Sequence, residues 1–389
     1  MAAHGLRVGA LRTWALVLTG IATVGVAGGV AATQTPSFDA WWGRDAASTA
    51  AARVRVETAT TTTPSPLPAN TLDRLHYWSH VAIDSSGLDH APAGVGDPHT
   101  FGHHLGPGRA SRAMAIVRIA MFEVVNAIDR RYESYLRAPV VGPAASMDAA
   151  LAQTAHDTLV SLYPSQKAHC DQLLAADLAQ MPNGNAKQAG ILLGKLVAAA
   201  ILSKVRDDGS NHAEPLYGVG YIAGTGAGEW RQDPISLLPP ALGAKWGSVR
   251  PFVLPSGKAF RAPAPPPLWS PAYAAAYNEV KKLGGDGIVT PTLRTPNQAL
   301  IGLYWAYDGT PSLCAPPRLY NQLLEVIATE MRSDVVDQAR LFALANVAMS
   351  DAGIAIWESK YFYKLWRPVT AIREADPGTG PSGVGSSMA

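Results

Sequence analysis

Lys360-Tyr361-Phe362-Tyr363-Lys364-Leu365-Trp366-Arg367-Pro368 closes the most sustained helical pattern in this 389-residue chain, a run from Asp334 to about Trp366. Ser333 is a candidate N-cap for that run, with Asp334 and Asp337 in the first turn, where unpaired amides favour negative charge. Lys360 and Arg367 are seven positions apart, nearly two turns of a 3.6-residue helix, so the spacing predicts that both cations leave one face. Their Cα atoms would then lie ~10 Å apart along the axis, a gap that two long side chains can close on one tetrahedral oxyanion. Arginine brings a planar fork of donors and lysine a compact charge. Pro368 is expected to end the helix just after Arg367. Two cations at this spacing also describe an ordinary solvated helix face, so the residues around them decide the matter.

Outward from this segment the chain reads as helical throughout. Hydrophobic residues make up 48% and charged residues 16%, ample material for a packed core and the reverse of a disordered composition. The net charge of +2 gives no electrostatic reason to expect nucleic acid as a partner. Apolar residues recur at helical spacing over 72–88, 109–130, 148–162, 166–180, 187–207, 271–283, 296–307 and 317–331. Between Asp208 and Pro271 the pattern lapses into a stretch rich in Gly, Pro and Trp, read as a long surface excursion that covers something. No run alternates strongly enough to build a sheet. The expectation is an all-α helical bundle.

The N-terminus reads differently. Residues 1–32 carry a basic start at Arg7 and Arg12, an apolar stretch from Trp14 to Val30, and small residues at Val30-Ala31-Ala32, which is the pattern of a signal peptide or an uncleaved anchor. Residues 33–71 are rich in Ala, Thr and Pro and read as a flexible linker, with the folded part spanning 72–389. The expected location is exported, periplasmic or extracellular, with a membrane tether through the N-terminal segment as an alternative. Cys170 and Cys314 are allowed a disulfide there, but two buried thiols fit the sequence equally well.

With its flanks, the Lys-x6-Arg-Pro segment resembles the first oxyanion motif of the superfamily that joins vanadium-dependent haloperoxidases to type-2 phosphatidic acid phosphatases. The resemblance runs through Ala339-Arg340-Leu341-Phe342-Ala343-Leu344, Ser350-Asp351-Ala352-Gly353, Lys360-Tyr361 and Trp366-Arg367-Pro368-Val369-Thr370-Ala371-Ile372-Arg373. It extends back to Gly106-Pro107-Gly108-Arg109-Ala110-Ser111-Arg112 and Ala120-Met121-Phe122-Glu123-Val124-Val125-Asn126-Ala127. It implies the helical bundle of that superfamily, with the second bundle incomplete after the first motif. Lys360 and Arg367 would hold the oxygens of vanadate, or of phosphate in the alternative. The implied reaction is peroxide-driven halide oxidation, with hydrogen peroxide and halide as partners. A phosphomonoesterase is the second reading, and an inactive helical fragment or scaffold the third. The superfamily's second motif, Pro-Ser-Gly-His, is matched only by Pro381-Ser382-Gly383, with Val384 in the histidine's place. Ser382 and Gly383 are therefore weaker candidates as cofactor-binding residues. The later arginine and histidine of the superfamily's site have no counterpart before Ala389.

Other residues invite chemistry less strongly. His90, His99, His103 and His104 with Asp89 and Asp97 could form a metal cluster, but Pro98 and Gly102 argue against a helical His-x3-His pair, and no metal site is expected. Asp351 could orient a cation or pack the helix. Trp357 and Trp366 could wall a pocket or fill the core. With half a site and no second bundle, this helix is expected to be partly exposed, with Tyr361, Trp366 or nearby apolar residues uncovered.

Overall fold

The computed structural model describes residues 66–91, 99–137, 144–235, 237–306 and 315–375. Residues 1–32, expected to be a signal peptide or anchor, all but the last residues of the expected linker at 33–71, and Asp97, Cys314, Ser382, Gly383 and Val384 lie outside the described residues. Ten α-helices run in order through the described part: α1 Thr71–Asp89, α2 Gly106–Asp129, α3 Met147–Leu162, α4 Lys167–Ala179, α5 Asn185–Val205, α6 Pro271–Gly284, α7 Pro296–Trp305, α8 Pro316–Met331, α9 Val335–Tyr363 and α10 Pro368–Ala375. Among the described residues only isolated bridges stand in for strands, so the fold is all-α, as the sequence implies.

Side chains set the helix starts. Asn70 accepts the Asp73 amide, Ser146 that of Ala149 and Ser270 that of Tyr273, while Thr295 and Gln298 form a reciprocal capping box. On α9 the cap is Asp334, not Ser333. The Asp334 carboxylate accepts the amides of Val336 and Asp337, and Ser333 offers its carbonyl to Gln338 instead. Helix α2 begins at Gly106, ahead of the expected Arg109, because Pro107 costs nothing in a first turn whose amides lack partners anyway.

Helix α2 is the axis of the bundle. Every residue from Ala113 to Ala127 is buried, Arg118, Glu123 and Asn126 among them, so this helix meets neighbours on all sides. Helices α9 and α3 pack along it, with α1, α5 and α8 completing the ring. Helices α3 and α5 approach closely through Gly190 and Gly194, where an added Cβ would sit 2.3 Å from the Ser146 carbonyl and 2.7 Å from that of Ala150.

Two buried charge networks tie this ring together. The Arg74 guanidinium reaches Asp177 at 2.9 Å and Asp148 at 2.8 Å, joining α1 to α4 and α3, and Trp78 Nε1 also donates to Asp177. Arg118, fully buried on α2, donates to Ser79 and Asn321 and lies 3.7 Å from Glu325 on α8. Burial lowers its pKa to about 10, against the favourable charge of Glu325. His76 joins by bonding Glu325 and Gln338, and Asn346 of α9 exchanges bonds with Asn321.

The 208–270 excursion is anchored, not loose. Trp246 and Val249 are buried against Ile354 of α9. The Asp351 carboxylate accepts the amides of Phe252, Val253 and Leu254 at 2.7–2.9 Å. Asp351 is thus a packing residue that staples the excursion to α9.

Candidate functional site

The two cations do not share a helix. Helix α9 ends at Tyr363, and Lys364 takes the left-handed conformation (φ 50°, ψ 34°), its amide closing on the Lys360 carbonyl at 2.9 Å. Leu365 then runs extended in an antiparallel bridge with Glu229. Pro368 opens α10, and the Arg367 carbonyl accepts the Ala371 amide at 3.0 Å, so Arg367 is the residue that caps the new helix. The expectation of one continuous helix through Arg367, ended by Pro368, is corrected here. A proline inside a helix would clash with the carbonyl four residues back and leave that carbonyl without its donor. The residue before it is also steered out of the helical region. The chain avoids both by leaving α9 three residues before Arg367 and using Pro368 as a first-turn residue, where its fixed φ is favourable.

Lys360 stays in the last turn of α9, exposed, with its amine 4.1 Å from the centre of the Trp357 ring. That placement is a cation–π contact. Trp357 is fixed in turn by its indole N–H donating to the Leu242 carbonyl at 3.2 Å, and the Tyr361 hydroxyl donates to the same carbonyl at 2.9 Å. Burial raises the pKa of Tyr361 well above the usual phenol value; Tyr221 and Glu214 add to this and the charge of Arg367 opposes it. Arg367 itself is exposed. The structure therefore sets Lys360 and Arg367 on either side of a short extended break, with Tyr361 between them in sequence and within reach of the field of Arg367.

Of the residues expected to be uncovered, Trp366 is not. It is buried with Tyr277 and Ala371, and its indole N–H donates to the Tyr273 hydroxyl at 2.6 Å. Tyr361 is half-buried, while Phe362 and Leu365 beside it are exposed. The histidine-rich loop is structural in its described part. Asp89 accepts the amides of His103 and His104, His90 engages Ser86 and Gly106, His99 bonds the Ala91 carbonyl, and His104 donates to the Leu162 carbonyl. Among the described residues no group of three or more His, Cys, Asp and Glu could hold a metal ion.

Sequence reading missed the segment that buttresses the break. Gly228, Trp230 and Arg231, within the excursion, bond Trp366, Lys364 and Glu374 respectively. The only sequence signal was the glycine spacing from Gly218 to Gly228 in a stretch otherwise rich in aromatic rings. Two cavities flank the region, one of about 480 Å³ against Lys258, Trp357 and Tyr361, the other of about 950 Å³ against His103, Arg109, Arg112 and Glu214. Lys360 and Arg367 line neither.

Residues 340–380, which include both cations, match the family described as the VCPO second helical-bundle domain. The vanadium chloroperoxidase of Curvularia inaequalis is 27% identical over 362 residues, a match that takes in 77% of this chain and 56% of that protein. The chain thus spans little more than half the length of that relative. A bacterial vanadium-dependent iodoperoxidase superposes with a TM-score of 0.65 at 20% identity, over 79% of this chain and 74% of the other. The holo form of a bacterial vanadium-dependent chloroperoxidase gives 0.50 at 16% identity, over 70% and 65%. At these identities the superpositions establish the fold.

Proposed function

We infer that this chain, vanadium haloperoxidase-like in sequence and fold, uses Lys360 and Arg367 as the cationic donors of an oxyanion site, with vanadate as the cofactor they hold. The observation that carries this reading is the placement of Arg367 at the head of α10, one short loop from Lys360. The first amides of a helix have no partner within it and carry partial positive charge, so a cation at that point adds to a surface already disposed to anions. Both side chains are exposed to an incoming ion.

The donor set suits the oxygens of vanadate better than its metal centre, since two cations and helix-end amides donate hydrogen bonds and none of them is a ligand for vanadium. Ser382 and Gly383 belong to the same reading as further donors. Bound vanadate would supply the activation of hydrogen peroxide by which halide is oxidised. The residues of this chain would bind and orient the oxyanion and balance its charge. The same donors recognise a phosphomonoester, which is the alternative substrate class. Residues 1–32 are read with this function as an export signal or anchor.

Titration calorimetry of the chain with orthovanadate and orthophosphate tests the reading. Lys360→Ala and Arg367→Ala should each weaken binding by about 10-fold, the scale of one charge-assisted hydrogen bond. Binding that does not saturate, or that survives both substitutions, overturns it. Bromination of a phenol dye with peroxide and vanadate, beside turnover of p-nitrophenyl phosphate, separates the two substrate classes.

A further inference from the structure

We propose that residues 224–231 form a strap that fixes Arg367 relative to Lys360, and that Arg231, through its ion pair with Glu374, is a positioning residue of the oxyanion site. The proposal rests on the reading of Lys360 and Arg367 given above and adds what holds them in register.

Lys360 rides on α9 and Arg367 caps α10. Of the three residues between the end of α9 and Arg367, Lys364 bonds back to the Lys360 carbonyl and Trp366 is held by Tyr273, and the strap adds the contacts that tie these anchors together. The strap contacts each part. The Trp230 amide donates to the Lys364 carbonyl at 2.6 Å, and the Trp366 amide donates to the Gly228 carbonyl at 2.8 Å, with Glu229 and Leu365 paired between them. This short antiparallel ladder makes Lys364–Trp366 one edge of a two-stranded ribbon. The Trp230 ring packs 6.0 Å from the ring of Tyr361, the residue after Lys360. Arg231 then reaches past the ribbon to α10, where its guanidinium pairs with Glu374. The strap therefore touches the end of α9, the break and α10 within eight residues.

Its own shape is set from the sequence. Gly228 has φ +83°, and a Cβ there would lie 2.9 Å from Leu268. At Gly224 a Cβ would fall on the Glu229 carboxylate, which folds back to accept the Gly226 amide. A second guanidinium nitrogen of Arg231 donates to the Thr225 and Gly226 carbonyls at 2.9 and 2.6 Å, closing the turn on itself. One side chain thus braces the strap and grips α10. With both partners half-buried, the pair is better shielded from solvent than a surface ion pair.

Phosphate titration of four proteins tests this: the unsubstituted chain, Arg231→Ala, Glu374→Ala, and the exchange Arg231→Glu with Glu374→Arg. Arg231→Ala and Glu374→Ala should each weaken phosphate binding about fivefold, with circular dichroism unchanged in all four. The exchange should recover the part of the loss owed to the ion pair but not the part owed to the Thr225 and Gly226 carbonyls, which a glutamate at 231 cannot bond. Glu374→Ala separates positioning from bulk charge. Removing a carboxylate from a cationic region would tighten anion binding if only the field mattered, whereas loss of the latch weakens it. Amide exchange at Trp366 should quicken in both single variants. Phosphate affinity in Glu374→Ala equal to or above that of the unsubstituted chain overturns the strap while leaving the oxyanion site standing. Absence of phosphate binding by the unsubstituted chain overturns the site and the strap with it.

Discussion

Asp351 shows how much one side chain carries when three backbone amides depend on it. It is buried on α9 and accepts from Phe252, Val253 and Leu254. Asp351→Ala should lower the unfolding free energy by about 2 kcal/mol, since charge-assisted bonds to three part-buried amides are lost; urea denaturation reads this directly. His104 sets a pH dependence. Burial lowers its pKa to about 4, with the charge of Asp89 opposing, and its ring donates to the Leu162 carbonyl. Protonation therefore favours the unfolded chain between the ordinary value near 6.5 and about 4. Stability should fall by about 2 kcal/mol as pH drops through that window, and the fall should flatten in His104→Gln. At this scale Lys360 and Arg367 were legible because their residue types and flanks are distinctive. Their arrangement was not. A 3.6-residue period runs unbroken from Asp334 through Trp366, and the residues that hold the chain once it has left α9, Gly228 to Trp230, lie more than 130 positions away.

Helix α9 illustrates why element existence was readable and element ends were not. Its apolar period fixed the helix, but its stop depends on Lys364 adopting a left-handed conformation that costs a non-glycine residue about 1 kcal/mol. Lys364→Gly should relieve that cost and raise the unfolding free energy by up to about 1 kcal/mol, less what glycine adds to the freedom of the unfolded chain. A thermal melt that fails to rise would mean that the lysine side chain contributes more than its strain removes. The α3–α5 pair makes the opposite case. Gly194→Ala places a methyl group against the Ala150 carbonyl and the Gln153 side chain, each 2.7 Å away. Helix propensity alone favours alanine by about 1 kcal/mol, yet overpacking should win and destabilise the protein by about 1–3 kcal/mol. From sequence, Gly190 and Gly194 read as ordinary members of a helical run, because the carbonyls they admit belong to another helix.

The bundle as a whole was foreseeable from its apolar periodicity, and the one long irregular stretch was rightly read as a cover, although the strap within it was invisible without its partners. If the oxyanion reading holds, ligand binding and folding are linked. Vanadate at 100 times its Kd should add about 2.7 kcal/mol, seen as a concentration-dependent rise in melting temperature. In Arg367→Ala, with binding about 10-fold weaker, the same concentration should add only about 1.4 kcal/mol. The central charge network has a consequence of another kind. Arg118 lies on the axis helix, but its anion, Glu325, and the Asn321–Asn346 pair beside it follow roughly 200 residues later. At the usual ribosomal pace that interval lasts roughly 10–40 s. Throughout it the nascent N-terminal bundle holds an arginine that cannot be buried without its counter-charge. Closing the early helices around Arg118 before α8 is made would therefore leave a buried charge without its counter-ion.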